Sequence, residues 1–162
     1  MKKTIALFGA LVALLVSAFP VSAGDPFWLQ SLTDDVHDIK VYRTASCSCC
    51  KGWISHLRDH NFRVENVVVG DVNPIKTQLG VPSQAASCHT AIVDGKIIEG
   101  HVPAQDIKSL LASKSDIHLL AVPGMPSGGP GMDTAGANKD GFKVYGVTSK
   151  GKVVVVSNYS DY

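Results

Sequence analysis

Charge is scarce in this chain and nearly cancels. Asp, Glu, Lys and Arg make up 18% of the 162 residues, 15 basic against 14 acidic, for a formal net charge of +1. Without a basic excess there is no electrostatic footprint for nucleic acid or for an anionic membrane surface. Glycine has no fixed period, which excludes a collagen-like fibre, and a hydrophobic fraction of 45% is too high for a disordered chain. No internal repeat has a fold-setting length. Cysteine is limited to four residues, none before Cys47, so a lipid-modified cysteine at an exported N-terminus is excluded. The length suits one ordinary core, and two full domains would be cramped.

The apolar run from Ile5 to Phe19, 15 residues, falls short of the roughly 20 that span a bilayer. Lys2 and Lys3 precede it, and Pro20 and Val21-Ser22-Ala23 follow it. A positive start, a short apolar stretch and a small-x-small end are the pattern of a secretory signal peptide, residues 1–23, cut after Ala23. Cutting there removes Lys2 and Lys3, leaving 139 residues with 13 basic and 14 acidic groups. The expected mature protein is periplasmic, without stable membrane insertion, in a compartment where disulfides are allowed.

A short lead-in occupies residues 24–35, with Phe27, Trp28 and Leu29 as a docking turn. Val36 to Thr44 reads as a strand, Cys49 to His60 as a helix and Phe62 to Val69 as a β-branched second strand. Cys50, Trp53, Ile54 and Leu57 recur at three- and four-residue spacing and make the helix's buried stripe. Pro74 to Leu79 is a short helix. Thr90 to Val93 and Lys96 to Glu99 are strands joined by Asp94-Gly95, a strong hairpin signal. Pro103 opens a helix that runs to about Ser113, with Ile107, Leu110 and Leu111 on its inner face. The fold class is therefore α/β, a three-layer domain around a mixed central sheet, over residues 36–122. This element order is also that of thioredoxin. Residues 123–141 form a loop rich in Gly, Pro and Met, too full of breakers for a helix or strand. Residues 142–162 close the chain as a C-terminal β-hairpin extension turning at Lys150-Gly151. It either extends the sheet or pairs with the lead-in.

Three of the four cysteines sit in Cys47-Ser48-Cys49-Cys50, between a strand and a helix. The C-x-x-C spacing of Cys47 and Cys50 puts both sulfurs near the first helical turn. There the free backbone N–H groups and the helix dipole stabilise a thiolate, with Lys51 adding positive charge. The thiolate is both the nucleophile and the metal-binding form, so redox or metal chemistry is expected. A structural zinc knot fits less well, because its ligands usually come from two separated pairs. Clustered soft thiolates suit Cu(I).

Cys88 lies in Ser87-Cys88-His89-Thr90, just before the third strand. If that strand runs antiparallel to the first, Cys88 faces the cysteine triad, and His101, after the fourth strand, arrives at the same edge. The expected metal ligands are Cys47, Cys49, Cys50 and Cys88. His89, His101, Met125 and Met132 are further candidates, the methionines as thioether donors on the 123–141 loop. No spacing singles out His37, His56, His60 or His118.

Val41-Tyr42, Cys47-Ser48-Cys49-Cys50-Lys51, Gly80-Val81-Pro82, Ser87-Cys88-His89-Thr90-Ala91, Glu99-Gly100-His101-Val102-Pro103 and Ala121-Val122-Pro123-Gly124-Met125-Pro126 occur in that order. Together they resemble the CopG-type copper-resistance proteins, a family long labelled a domain of unknown function. The resemblance runs from about Asp38 to Met132. It implies a periplasmic, thioredoxin-like protein that binds Cu(I) through its cysteines and has a redox role in copper detoxification. The family pattern has Gly where this chain has Ser48. The proline that precedes the third strand in thioredoxins is absent, and Cys88-His89 stands in its place. That replacement disfavours general disulfide exchange and favours metal capture. The tail from Asp140 to Tyr162 lies outside the resemblance.

Three functions compete. The first is a periplasmic copper-binding protein of copper resistance and homeostasis, with copper ions and copper-handling or redox proteins as partners. The second is a thiol-disulfide or copper oxidoreductase cycling Cys47 and Cys50 between dithiol and disulfide. The third is a secreted structural domain with Cys47–Cys50 and Cys49–Cys88 bridges.

Overall fold

A computed structural model describes residues 25–162. The signal-peptide expectation for residues 1–23 lies outside the described residues. The elements follow as β1 (His37–Thr44), α1 (Ser48–Asp59), β2 (Phe62–Val69), α2 (Asn73–Gln78), β3 (Thr90–Val93), β4 (Lys96–Glu99), α3 (Ala104–Ala112), β5 (Ile117–Ala121), β6 (Phe142–Thr148) and β7 (Val153–Tyr159). They build one mixed sheet of seven strands in the order β2-β1-β3-β4-β5-β6-β7.

Two parallel crossovers bracket an antiparallel centre. β1 and β2 pair in parallel through α1, and β4 and β5 in parallel on either side of α3. Between them β3 is antiparallel to both β1 and β4. The register aligns Tyr42 with Thr90, Thr90 with Glu99, and Glu99 with Ala121. The end of β1, the start of β3 and the ends of β4 and β5 therefore meet at one edge, where the chemistry-bearing loops emerge.

The larger core joins the apolar stripe of α1 (Trp53, Ile54, Leu57) and the inner face of α3 (Ile107, Leu110) to Ile39, Val41, Ile98 and Leu120 of the sheet. Trp53 is fully buried and its indole N–H donates to Val102 O at 2.8 Å, which satisfies its polar atom. A second, smaller core of Ala85, Ile97, Leu119, Ala121 and Val147 packs under Leu79 and Val81.

β5 was not anticipated. Its sequence, IHLLA, has no alternation because Leu119 and Leu120 are each fully buried, in different cores on the two sides of the sheet. Strands covered on both faces read as continuous apolar runs. The terminal hairpin extends the sheet, β6 pairing with β5 and β7 with β6. It also meets the lead-in, since Trp28 lies 5.3 Å from the Tyr159 ring and 5.0 Å from that of Tyr162. Of the two alternatives the hairpin takes the first, extending the sheet, and it packs against the lead-in through these aromatic rings without pairing with it. Ser157 and Tyr159 donate to the buried carboxylate of Asp106, tying β7 to α3.

Candidate metal centre

α1 begins where β1 ends, after a turn that brings Cys47 to the N-cap. Its sulfur accepts from the backbone N–H of Cys50 at 3.3 Å. Cys47 and Cys50 form a disulfide, while Cys49 and Cys88 are free thiols. The second bridge of the structural-domain reading, Cys49–Cys88, is therefore not formed. Sγ of Cys49 lies 3.5 Å from that of Cys47, and Sγ of Cys88 lies 3.7 Å from that of Cys50. All four sulfurs fall within 4.8 Å of one another. The antiparallel placement of β3 against β1 accounts for this, because it returns residue 88 to the level of residue 47.

Cys88 belongs to a second group as well. Its sulfur is 3.2 Å from Nδ1 of His89 and 3.2 Å from Nε2 of His101, and these three donors also lie within 4.8 Å of one another. His101 donates from Nδ1 to the carbonyl of Pro130 at 2.8 Å, which leaves Nε2 as a lone pair aimed at Cys88. His89 is fully buried against Trp53, with ring centroids 4.3 Å apart, and its Nε2 has no partner among the described residues. Burial, then the neighbouring His101 and Lys76, hold the His89 pKa well below the usual histidine value; burial also lowers that of His101. Both rings are thus neutral at pH 7, each with one nitrogen able to accept. Burial, reinforced by Cys49, pushes the Cys88 thiol up to about 12, so it keeps its proton until a cation competes for the sulfur.

The 123–141 loop closes over this edge by direct backbone contact. A Cβ on Gly131 would lie 2.3 Å from Trp53 N and 2.8 Å from Cys49 O. Only glycine allows the loop so near the first turn of α1. On the other side, Ser87 donates its hydroxyl to the carbonyl of Gly124 at 2.5 Å. Each loop methionine thus follows a glycine that touches a cysteine-bearing segment. Met125 is exposed beside Pro126, Phe142 and Tyr145, and Met132 is half-buried in a turn with Gly128 and Gly129.

The fold and this clustering can now be set beside known proteins. Two solved structures, "Copper resistance protein copG- Form 1" and "Copper resistance protein copG- Form 2", are each 44% identical to this chain. The first gives a TM-score of 0.72 over 76% of this chain and 98% of its own; the second gives 0.73 over 77% and 99%. The chain belongs to the CopG copper-resistance family. A family model described as "Protein of unknown function, DUF411" also matches residues 85–132, the stretch of this CopG relative that holds Cys88, His89, His101 and both loop methionines. No curated protein matches the chain.

Sequence reasoning missed several polar groups around the centre. Glu99 and Lys76 form a buried ion pair, and His56 and His60 are buried on and beside α1. His56 accepts at Nε2 from the N–H of Ala104 at 3.0 Å, capping the start of α3. Its i, i+4 relation to His60 was visible in the sequence but carries no distinctive chemistry by itself. No helix among the described residues is long and apolar enough to cross a membrane.

Proposed function

We propose that this chain is a periplasmic copper-binding protein of copper resistance, holding Cu(I) with Cys47, Cys49, Cys50 and Cys88 in the dithiol state. One observation carries the reading: four sulfurs gather within 4.8 Å, and one of them, Cys88, is shared with two neutral imidazoles. Soft sulfur donors with imidazole neighbours suit Cu(I) better than hard cations. His89 Nδ1, 3.2 Å from the Cys88 sulfur, and His101 Nε2, oriented by the Pro130 carbonyl, fit a site completed by a cation. Met125 and Met132 are thioether donors on the covering loop. Export through residues 1–23 would place the protein where disulfide and copper chemistry coexist. The strand-helix-strand, hairpin and helix order of residues 36–122 supports a thioredoxin-like domain. Residues 24–35 then serve as its lead-in, residues 123–141 as its covering loop and residues 142–162 as its hairpin extension.

The test is anaerobic Cu(I) titration of fully reduced protein against a chromophoric Cu(I) chelator, followed by native mass spectrometry. Retained copper that is lost when the four cysteines become serine supports the reading. Failure of the reduced wild type to retain copper against a moderate chelator overturns it.

A second reading has its own support. The Cys47–Cys50 bridge sits at the N-terminus of α1, the position that stabilises a leaving thiolate and favours exchange with a partner dithiol. Insulin reduction by wild type and Cys47→Ser decides it, since equal rates remove the oxidoreductase function.

A further inference from the structure

Glu99 is fully buried, and Lys76 is 7% exposed. Their ion pair lies directly behind the cluster, and its hydrogen bonds follow an unusual plan. Oε1 of Glu99 accepts from Lys76 and from the backbone N–H of Ser87 at 2.6 Å. Oε2 accepts from the Thr90 hydroxyl at 2.6 Å, and Thr90 accepts in turn from Lys76 at 2.8 Å. Ser87 and Thr90 are the residues on either side of the Cys88–His89 dipeptide. One carboxylate therefore grips both flanks of the segment that carries a thiol and an imidazole.

The same residue governs the arrival of His101. Glu99 ends β4, and the chain turns at Gly100, which has a φ of +72°. A Cβ there would fall 2.5 Å from Val122 O and 2.6 Å from the Ser87 side chain. Gly100 N–H donates to His89 O at 3.0 Å, and Glu99 O accepts from Val122 at 3.0 Å. Residues 87–90, 99–101 and 122 are thereby locked together behind the donors.

Stability alone does not account for such a pair, because buried ion pairs often break even against apolar replacements of similar volume. Metal sites, by contrast, depend on outer groups that orient their ligands. We propose that Glu99, neutralised by Lys76, is the positioning residue that holds Cys88 against Cys50 and keeps the donors converged before a metal arrives. The metal part of this inference rests on the copper reading above; the geometric part does not.

The experiment separates the two. In a Cys47→Ser/Cys49→Ser background only Cys50 and Cys88 remain, and their effective concentration is measured by equilibrating the Cys50–Cys88 disulfide with glutathione. The double variant Lys76→Met/Glu99→Met removes both charges without burying an unpaired one, and its apolar side chains offer neither Ser87 nor Thr90 a hydrogen-bond partner. We expect about a tenfold fall in effective concentration, the lower end of what loss of an orienting group costs a metal site. Thr90→Val, which releases one flank, is expected to fall about threefold. Ile98→Val, in the same strand and fully buried, loses stability without touching the network and leaves the value unchanged. A double variant that folds cooperatively by circular dichroism yet matches Ile98→Val overturns the proposal. Should the double variant not fold, Thr90→Val decides alone, and a value equal to that of Ile98→Val overturns the proposal. With all four cysteines restored, the double variant should hold Cu(I) about tenfold more weakly. If wild type holds no Cu(I), the copper reading falls while the thiol-pair measurement still judges the positioning role.

Discussion

Gly131→Ala is the sharpest perturbation of the covering loop. The new methyl would sit 2.3 Å from Trp53 N, 2.8 Å from Cys49 O and 2.9 Å from Gly52 C, all backbone atoms of α1 that cannot swing aside. Its φ of +81° adds left-handed strain of about 1–2 kcal/mol for a residue with a Cβ. Gly124→Ala isolates that strain, since φ there is +71° and a Cβ meets nothing within 4 Å. Overpacking against rigid backbone costs about 1–3 kcal/mol beyond strain. The two variants should therefore differ by about 2 kcal/mol, about 6–8 °C in Tm for a chain of this size. The loop's escape route is to lift, which breaks the His101–Pro130 and Trp28–Gly128 bonds, at 2.8 and 2.9 Å. His101 then loses its fixed tautomer, and Cu(I) retention should weaken about tenfold in Gly131→Ala only. Thermal unfolding by circular dichroism and chelator competition on both variants check this. Equal Tm values, or equal copper retention, would refute the close-approach argument.

Burial, aided by His60 and His101, holds the His56 pKa at about 3 against an unfolded value near 6.5. The folded state therefore resists the proton that the unfolded chain accepts. Stability is fully present above pH 6.5 and falls by about 1.4 kcal/mol per pH unit toward pH 3, about 2 kcal/mol from pH 7 to 5. Urea midpoints at both pH values should show this loss in wild type and a flatter profile in His56→Gln; parallel profiles would contradict it. Cys88→Ser removes the one sulfur common to both donor groups, so it should lower bound copper more than Cys49→Ser does, as read by native mass spectrometry. Thiol counting in denaturant on non-reduced protein should give two reactive groups, Cys49 and Cys88, rising to four after reduction; zero before reduction would restore the two-bridge domain.

The legible parts of the fold were those whose local rules agree with their tertiary setting. β2, β3 and β4 fall where β-branched runs and Asp94-Gly95 put them, and α1 and α3 differ from expectation by a residue or so at their ends. Cys88 was foreseeable because an antiparallel hairpin return is a topological matter, and topology follows from element order. β5 escaped because coverage on both faces erases the period of two. Glu99 and Lys76 escaped for a different reason. Charged residues are almost never fully buried unless paired, and pairing across 23 positions leaves no local trace. The loop's approach to α1 was equally hidden, since a glycine that admits a neighbouring backbone looks like any other breaker in a Gly-rich stretch.

The convergence of strand ends also changes what the chain offers before and after it folds. Cys47, Cys49 and Cys50 are neighbours in any conformation, so an unfolded chain already presents a short cysteine-rich peptide. Cys88, His89 and His101 join it only once β1, β3 and β4 have aligned. A fragment ending before residue 87 would keep the tetrapeptide but lack half of the six clustered donors, so on the proposed copper reading a peptide mimic would underestimate both affinity and selectivity. Folding itself doubles the number of donors gathered at this edge.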